Sequence, residues 1–264
     1  MIKLVVSDID GTLVPEGTNQ IDPEYFKWIR GLKRQGILFA AASGREYKSM
    51  QRLLNPVAED VLFIADNGAN VILREKSISV NYIGQELAGV LLLFLRDLPG
   101  CEIMLSAPES VYLETTDEEF ADMLIHGYRF RIKRVRDLLP LCGRAIKIAA
   151  YSRTGIQPAF QTIASHFGDR MNVTLSGMAW ADCMSLTTDK GNALEKLQYQ
   201  MGISRDETMA FGDNCNDIQM LRHAAESYAV GNAHPRLKEV ARHIAPPCTE
   251  NGVLKTLQAY FDIQ

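Results

Sequence analysis

Asp8 and Asp10 sit in the pentapeptide Asp8-Ile9-Asp10-Gly11-Thr12, directly after a β-branched run from Ile2 to Ser7. Residues two apart in an extended segment point to the same side, so the two carboxylates are expected together at the end of a strand. Adjacent carboxylates repel and need a cation or a proton to neutralise them. A hard cation such as Mg²⁺ suits the pair, because it prefers oxygen ligands and takes one or two carboxylates with phosphate and water. Read alone, the pentapeptide also fits an Asp-rich turn, the weaker of the two readings. A second acidic cluster, Gly212-Asp213-Asn214-Cys215-Asn216-Asp217, follows another apolar run far along the chain. One sheet would bring both clusters together, although Asn and Asp also favour turns that cap the next helix.

Two cationic positions accompany them. Ser43-Gly44-Arg45 closes the run Ile37 to Ala42 and opens a helix, where backbone donors and the helix dipole attract anions. There the Ser43 hydroxyl can hold a phosphate oxygen and Arg45 brings a permanent positive charge. Lys190, in Asp189-Lys190-Gly191-Asn192-Ala193, stands at another helix start and can offset a phosphoryl charge. Singly, either cation reads as a solvated surface residue. Their force comes from the set.

The elements that must position these residues alternate in the first third. A strand over Ile2 to Ser7 is followed by a helix over Asp22 to Gln35, with Phe26, Ile29 and Leu32 at helical spacing, Asp22-Pro23 as its start and Gly36 as its stop. A strand over Ile37 to Ala42, a helix over Glu46 to Leu54 and a strand over Val61 to Ala65 complete a βαβαβ rhythm, which predicts a doubly wound parallel sheet. Val71 to Leu73 and Ser77 to Tyr82 suggest a hairpin. From about Gly84 to Asp182 the pattern changes to strands over 102–106, 111–115, 145–151, 173–176 and 179–184, with helices near 116–126 and 155–167. The last third resumes the first rhythm: helix 190–201, strand 208–211, helix 216–225, strand 228–230 and helix 235–242. The fold class expected is α/β, a Rossmann-like core over 1–83 and 183–264 with an inserted α/β domain over 84–182.

Composition sets outer bounds. Apolar residues at 47% and charged residues at 23% are the mix of a globular chain with a sizeable core rather than a disordered one. A net charge of -4 argues against nucleic acid as partner and leaves room for a small anion. The five cysteines are odd in number, without a CxxC pair, and read as reduced thiols. The most apolar helix candidate, Leu87 to Leu98, is shorter than the roughly 20 residues that span a bilayer, and no signal-peptide pattern precedes Ile2. A cytoplasmic protein with no membrane partner is expected; oligomeric state is left open.

Taken in order, DIDGT, SGR, DKGNAL and GDNCND resemble the four motifs of haloacid dehalogenase (HAD) superfamily phosphatases. The insertion stands where the α/β cap of the Cof-like, type IIB branch belongs. IADNGANV at Ile64 to Val71 and AVGNAHPRLKEVA at Ala229 to Ala241 also look like segments of that branch, so the resemblance spans essentially the whole chain. It implies Mg²⁺-dependent hydrolysis of small phosphorylated metabolites, such as sugar phosphates, through an aspartyl phosphate. By position, Asp8 would be the nucleophile and Asp10 the acid and later base, with Lys190 beside the transferring phosphoryl group. Mg²⁺ would bind Asp8, the Asp10 carbonyl and Asp213, supported by Asp217, while Gly11, Ser43, Gly44, Arg45 and Asn216 would contact phosphate or substrate, Arg45 facing the phosphate or leaving group. The cap would contact the leaving group, with Tyr112, His126, Tyr128, Arg129 and Trp180 as candidate lining residues, although aromatic residues at such spacing are more often packing. The rival readings are a phosphotransferase of the phosphomannomutase kind, a receiver-like domain phosphorylated as a signal, and a metabolite-binding protein.

Overall fold

A computed structural model describes residues 1–127 and 130–261. The chain opens with β1 (Leu4–Asp8), α1 (Glu24–Arg34), β2 (Leu38–Ala42), α2 (Tyr47–Leu53), β3 (Val61–Ala65), β4 (Asn70–Leu73) and β5 (Lys76–Val80). An intervening segment carries α3 (Gln85–Arg96), β6 (Glu102–Ala107), β7 (Ser110–Leu113), α4 (Glu118–Asp122), β8 (Ile132–Arg134), β9 (Lys147–Tyr151), α5 (Gln157–Phe167), β10 (Met171–Leu175) and β11 (Trp180–Ser185). The chain then returns through α6 (Lys190–Met201), β12 (Thr208–Gly212), α7 (Ile218–Arg222), β13 (Glu226–Val230), α8 (Pro235–Lys238), β14 (His243–Ala245) and α9 (Gly252–Tyr260).

Two compact units result, one of Met1–Ser79 with Asp189–Gln264 and one of Val80–Thr188. The first is built on a sheet of order β14-β13-β12-β1-β2-β3-β4-β5, parallel from β14 to β3 and antiparallel at β4. Its central strands are buried on both faces, which explains why LVVSD, LFAAA and VLFIA read as continuous apolar runs rather than alternating ones. The order runs outward in both directions from the adjacent strands β1 and β12. That reversal makes their carboxyl ends the topological switch point, where open α/β sheets bind ligands. Helix α1 buries Tyr25, Ile29 and Leu32 at i, i+4 and i+7 against this sheet; Phe26, expected on that stripe, is only partly buried. Pro23 is the residue preceding the helix, and Asp22 Oδ1 accepts from Glu24 N at 2.9 Å.

The second unit has a sheet of order β10-β11-β9-β6-β7-β8, antiparallel except for the β7/β8 pair. Alternate residues of its strands serve two clusters. Ile103, Leu105, Ile148, Ala150, Ala181 and Cys183 pack with α3 and α5, while Met104, Leu113, Ala149 and Trp180 pack with Phe120 and Leu124. Tyr112 and Trp180 are accounted for by packing: Tyr112 is buried with its hydroxyl on Glu109, and Trp180 lies against Phe120 and Tyr151. His126 is exposed. Tyr128 and Arg129 lie outside the described residues. The helix expected near 116–126 ends at Asp122 and passes into a wider turn over Met123–Gly127. No helix among the described residues is long and apolar enough to cross a membrane.

Candidate active site

Three strand ends and one helix start deliver the chemistry. Asp8 is the last residue of β1, Ser43 follows β2, Asp213 follows β12, and Lys190 begins α6. The N-cap of α6 is Asp189, whose side chain accepts from Asn192 N at 2.8 Å, and this sets Lys190 on the first turn. Lys190 is 1% exposed and donates to Asp8 Oδ1 at 2.6 Å and Asp217 Oδ1 at 2.7 Å. Burial alone would lower the lysine's proton affinity, but the Asp217 and Asp8 charges override it and hold the ammonium above its usual value.

Asp8 is the strained partner. Burial pushes its carboxyl well above the usual range, the Lys190 charge opposes this, and Asp217 and Asp213 add to it. Asp8 Oδ2 is buried and has no hydrogen-bond partner among the described residues. Asp213 faces it, half-buried, with its carboxyl pushed up to about 6 by burial and then by Asp217. One oxygen from each of Asp8, Asp213 and Asp217 lies within 4.8 Å of the others.

Asp217 differs from its neighbours because both its oxygens are committed. Oδ1 takes Lys190, and Oδ2 accepts from the backbone N–H of Asp213 at 3.0 Å and of Asn214 at 3.1 Å. It therefore shapes the loop that presents Asp213. Thr12 Oγ1 donates to Asp213 Oδ1 at 3.3 Å. The donor set fits a divalent cation: a hard, all-oxygen cluster of three carboxylates against one ammonium, with a buried Asp8 oxygen left over.

Asp10 is placed apart from that cluster. Its carboxylate is forked by Arg45, with Nε to Oδ2 at 2.8 Å and Nη2 to Oδ1 at 2.5 Å, and Ser43 Oγ approaches Oδ2 at 3.4 Å. Arg45, expected to face the phosphate or leaving group, here forks Asp10 and binds the loop after β1. Ser43 is 1% exposed, and its Oγ accepts from Arg45 N at 3.0 Å. Gly11 adopts φ +80, and a Cβ there would stand 2.3 Å from Asp213 Oδ2. At Gly44 a Cβ would meet the Asn67 amide at 3.2 Å. Asn216 is exposed and donates to that same Asn67 side chain at 3.2 Å.

Three residues of this arrangement carried no assigned role in the sequence reading: Thr12, Asn67 and Asn232. Asn67, at φ 54, links the loops after β2 and β12 from the turn after β3. Asn232 Nδ2 donates to Gly11 O at 2.8 Å while its Oδ1 accepts from Cys248 N at 2.8 Å, tying the Asp8 loop to the chain beyond β14. Their segments, IADNGANV and AVGNAHPRLKEVA, stood out, but which side chain in each would reach the site depends on loop contacts.

The haloacid dehalogenase-like hydrolase family is matched over residues 5–257. This chain belongs to that family. Among curated relatives, it is 26% identical over 257 residues to the 5-amino-6-(5-phospho-D-ribitylamino)uracil phosphatase of Escherichia coli, covering 97% of this chain and 95% of that one. It is 26% identical over 275 residues to the HMP-PP phosphatase of Yersinia enterocolitica, covering 98% and 95%. A crystal structure from Eubacterium rectale superposes with a TM-score of 0.92 at 31% identity, covering 98% and 99% of the two chains. The α/β core with its parallel sheet is thus a haloacid dehalogenase-like hydrolase core in sequence and in shape.

Proposed function

We propose that this phosphatase hydrolyses small phosphate monoesters in two displacements through Asp8. The observation that carries the reading is the buried Asp8 carboxylate, held at Oδ1 by Lys190 and left without a partner at Oδ2, at the switch point of the sheet. In the first displacement an Asp8 oxygen bonds to phosphorus as the ester P–O bond breaks, and Asp10 gives its proton to the leaving oxygen. In the second, water bonds to phosphorus, the Asp8–phosphorus bond breaks, and Asp10 takes the water's proton. Lys190, which keeps its charge despite burial, offsets the charge on the transferring group, and Ser43 orients one of its oxygens.

Asp8 and Asp213 would hold a Mg²⁺ ion with the Asp10 carbonyl, while Asp217 positions Asp213 and Lys190 through its hydrogen bonds. When bound, the cation neutralises the facing carboxylates and draws charge from the phosphoryl oxygens. Gly11, Gly44 and Asn216 complete the phosphate-facing loops, with glycine at position 11 where a Cβ would run into Asp213. The names of the Escherichia coli and Yersinia enterocolitica relatives denote small phosphorylated substrates, which supports the same class here. Five free cysteines fit a reducing, cytoplasmic setting.

The test is phosphate release from sugar phosphates, pyridoxal phosphate, nucleotides and p-nitrophenyl phosphate, with Mg²⁺ or EDTA. Release that requires Mg²⁺ and vanishes in Asp8→Asn is the expected result. Equal release from wild type and Asp8→Asn would sink the reading, and isomerised sugar phosphate without free phosphate would make the enzyme a phosphotransferase.

A further inference from the structure

Arg45 is among the most fully engaged cations of the core unit, and its partners say what it does. Besides the fork on Asp10, its Nη2 donates to Thr18 O at 2.9 Å and its Nη1 to Asn19 Oδ1 at 2.6 Å. A guanidinium has five N–H donors, and these contacts use four of them. Its backbone is equally fixed: Arg45 N donates to Ser43 Oγ at 3.0 Å and Arg45 O accepts from Asp66 N at 2.9 Å.

We infer that Arg45 is a positioning residue that locks the Asp10 carboxylate in the orientation from which its proton reaches the leaving oxygen. The inference rests on the reading of Asp10 as proton donor. An Asp side chain at a half-exposed loop position turns freely about two bonds, and a planar two-point contact removes that freedom. Thr18 and Asn19 hold the guanidinium from behind, so the fork is itself oriented. Proton delivery requires the donor oxygen within hydrogen-bond reach of the departing atom, so an unlocked Asp10 loses rate where a proton is needed most.

That dependence supplies the test. Values of kcat/KM are measured for wild type, Arg45→Ala, Arg45→Lys, Asp10→Asn and Arg45→Ala/Asp10→Asn. The esters run from p-nitrophenyl phosphate, whose leaving group needs little protonation, to alkyl phosphates, whose leaving group needs much. Arg45→Ala should lose on the order of 100-fold on alkyl esters and several-fold less on p-nitrophenyl phosphate. Arg45→Lys should recover part of the loss. The double variant should be no worse than Asp10→Asn, because the two residues act as one unit. A loss in Arg45→Ala that is the same for every leaving group and sits in KM would overturn the positioning role and make Arg45 a phosphate contact. If instead Asp10→Asn is itself indifferent to the leaving group, the proton-donor reading falls and takes this inference with it.

Discussion

Asp8, Asp213 and Asp217 share one small volume with a single ammonium, and that imbalance has a measurable consequence. The Asp213 carboxyl is raised from 3.8 to about 6 in the folded protein. It binds its proton more tightly folded than unfolded, so metal-free protein loses stability as pH rises through that window, and the loss is complete above it. A divalent cation relieves the repulsion, so Mg²⁺ should raise the thermal midpoint more at about pH 7.5 than at about pH 5. Asp213→Asn should flatten that difference. Equal Mg²⁺ shifts at both pH values in differential scanning fluorimetry would remove Asp213 from the metal site. At this scale the sequence was legible only in part: Lys190 begins a capped helix, but Asp10, expected beside Asp8 from the two-residue spacing, turns its carboxylate to Arg45 while Asp8 clusters with Asp213 and Asp217. The partner of Arg45 was not legible. Its pairing with Asp10 is supported by Thr18 and Asn19, which fold back beside the strand end.

Elements decide how closely those residues approach. The turn after β1 brings Gly11 beside Asp213 at a positive φ, so an added methyl meets both backbone strain and a carboxylate. Gly11→Ala should cost about 1–2 kcal/mol in stability and, by displacing Asp213, weaken Mg²⁺ affinity by on the order of 10-fold, one factor of 1.4 kcal/mol. Denaturant unfolding and metal titration read the two effects separately; a variant with unchanged Mg²⁺ affinity would show that Asp213 does not depend on this contact. The central strands and α1, α2 and α6 were legible because burial on both sheet faces or on one helix stripe leaves a strong pattern. Others were not. The edge strand β8 is three residues of Ile-Lys-Arg, mostly exposed, with no alternation to read. The helix expected over 216–225 runs only over Ile218–Arg222, and starts late because Asn214 and Asp217 cap a preceding 3₁₀ turn. Helix α9 carries a buried stripe, Val253, Leu254 and Leu257, outside the elements predicted from the sequence, and β14 is only three residues long.

Over the whole molecule, the core and the inserted unit have separate apolar clusters. Leu105 is fully buried in β6, within the inserted unit's own core. Leu105→Ala should therefore destabilise by about 2–5 kcal/mol, and native-state hydrogen exchange should find the loss concentrated in amides of 80–188. Loss of protection spread evenly over both units would mean that they unfold as one.

The amino-acid sequence by itself determined the class of fold, the order of the segments and the list of ionisable groups, because burial periodicity and fixed spacings are properties of neighbours along a chain. It also carried the family resemblance that the match over residues 5–257 bears out. Only the tertiary structure decided which groups pair. Lys190 reaches Asp8 across 182 positions and Thr12 reaches Asp213 across 201, and Arg45 turns to Asp10. Such partnerships are settled by where loops end in space and by which charges lose their water, and neither is written in local pattern.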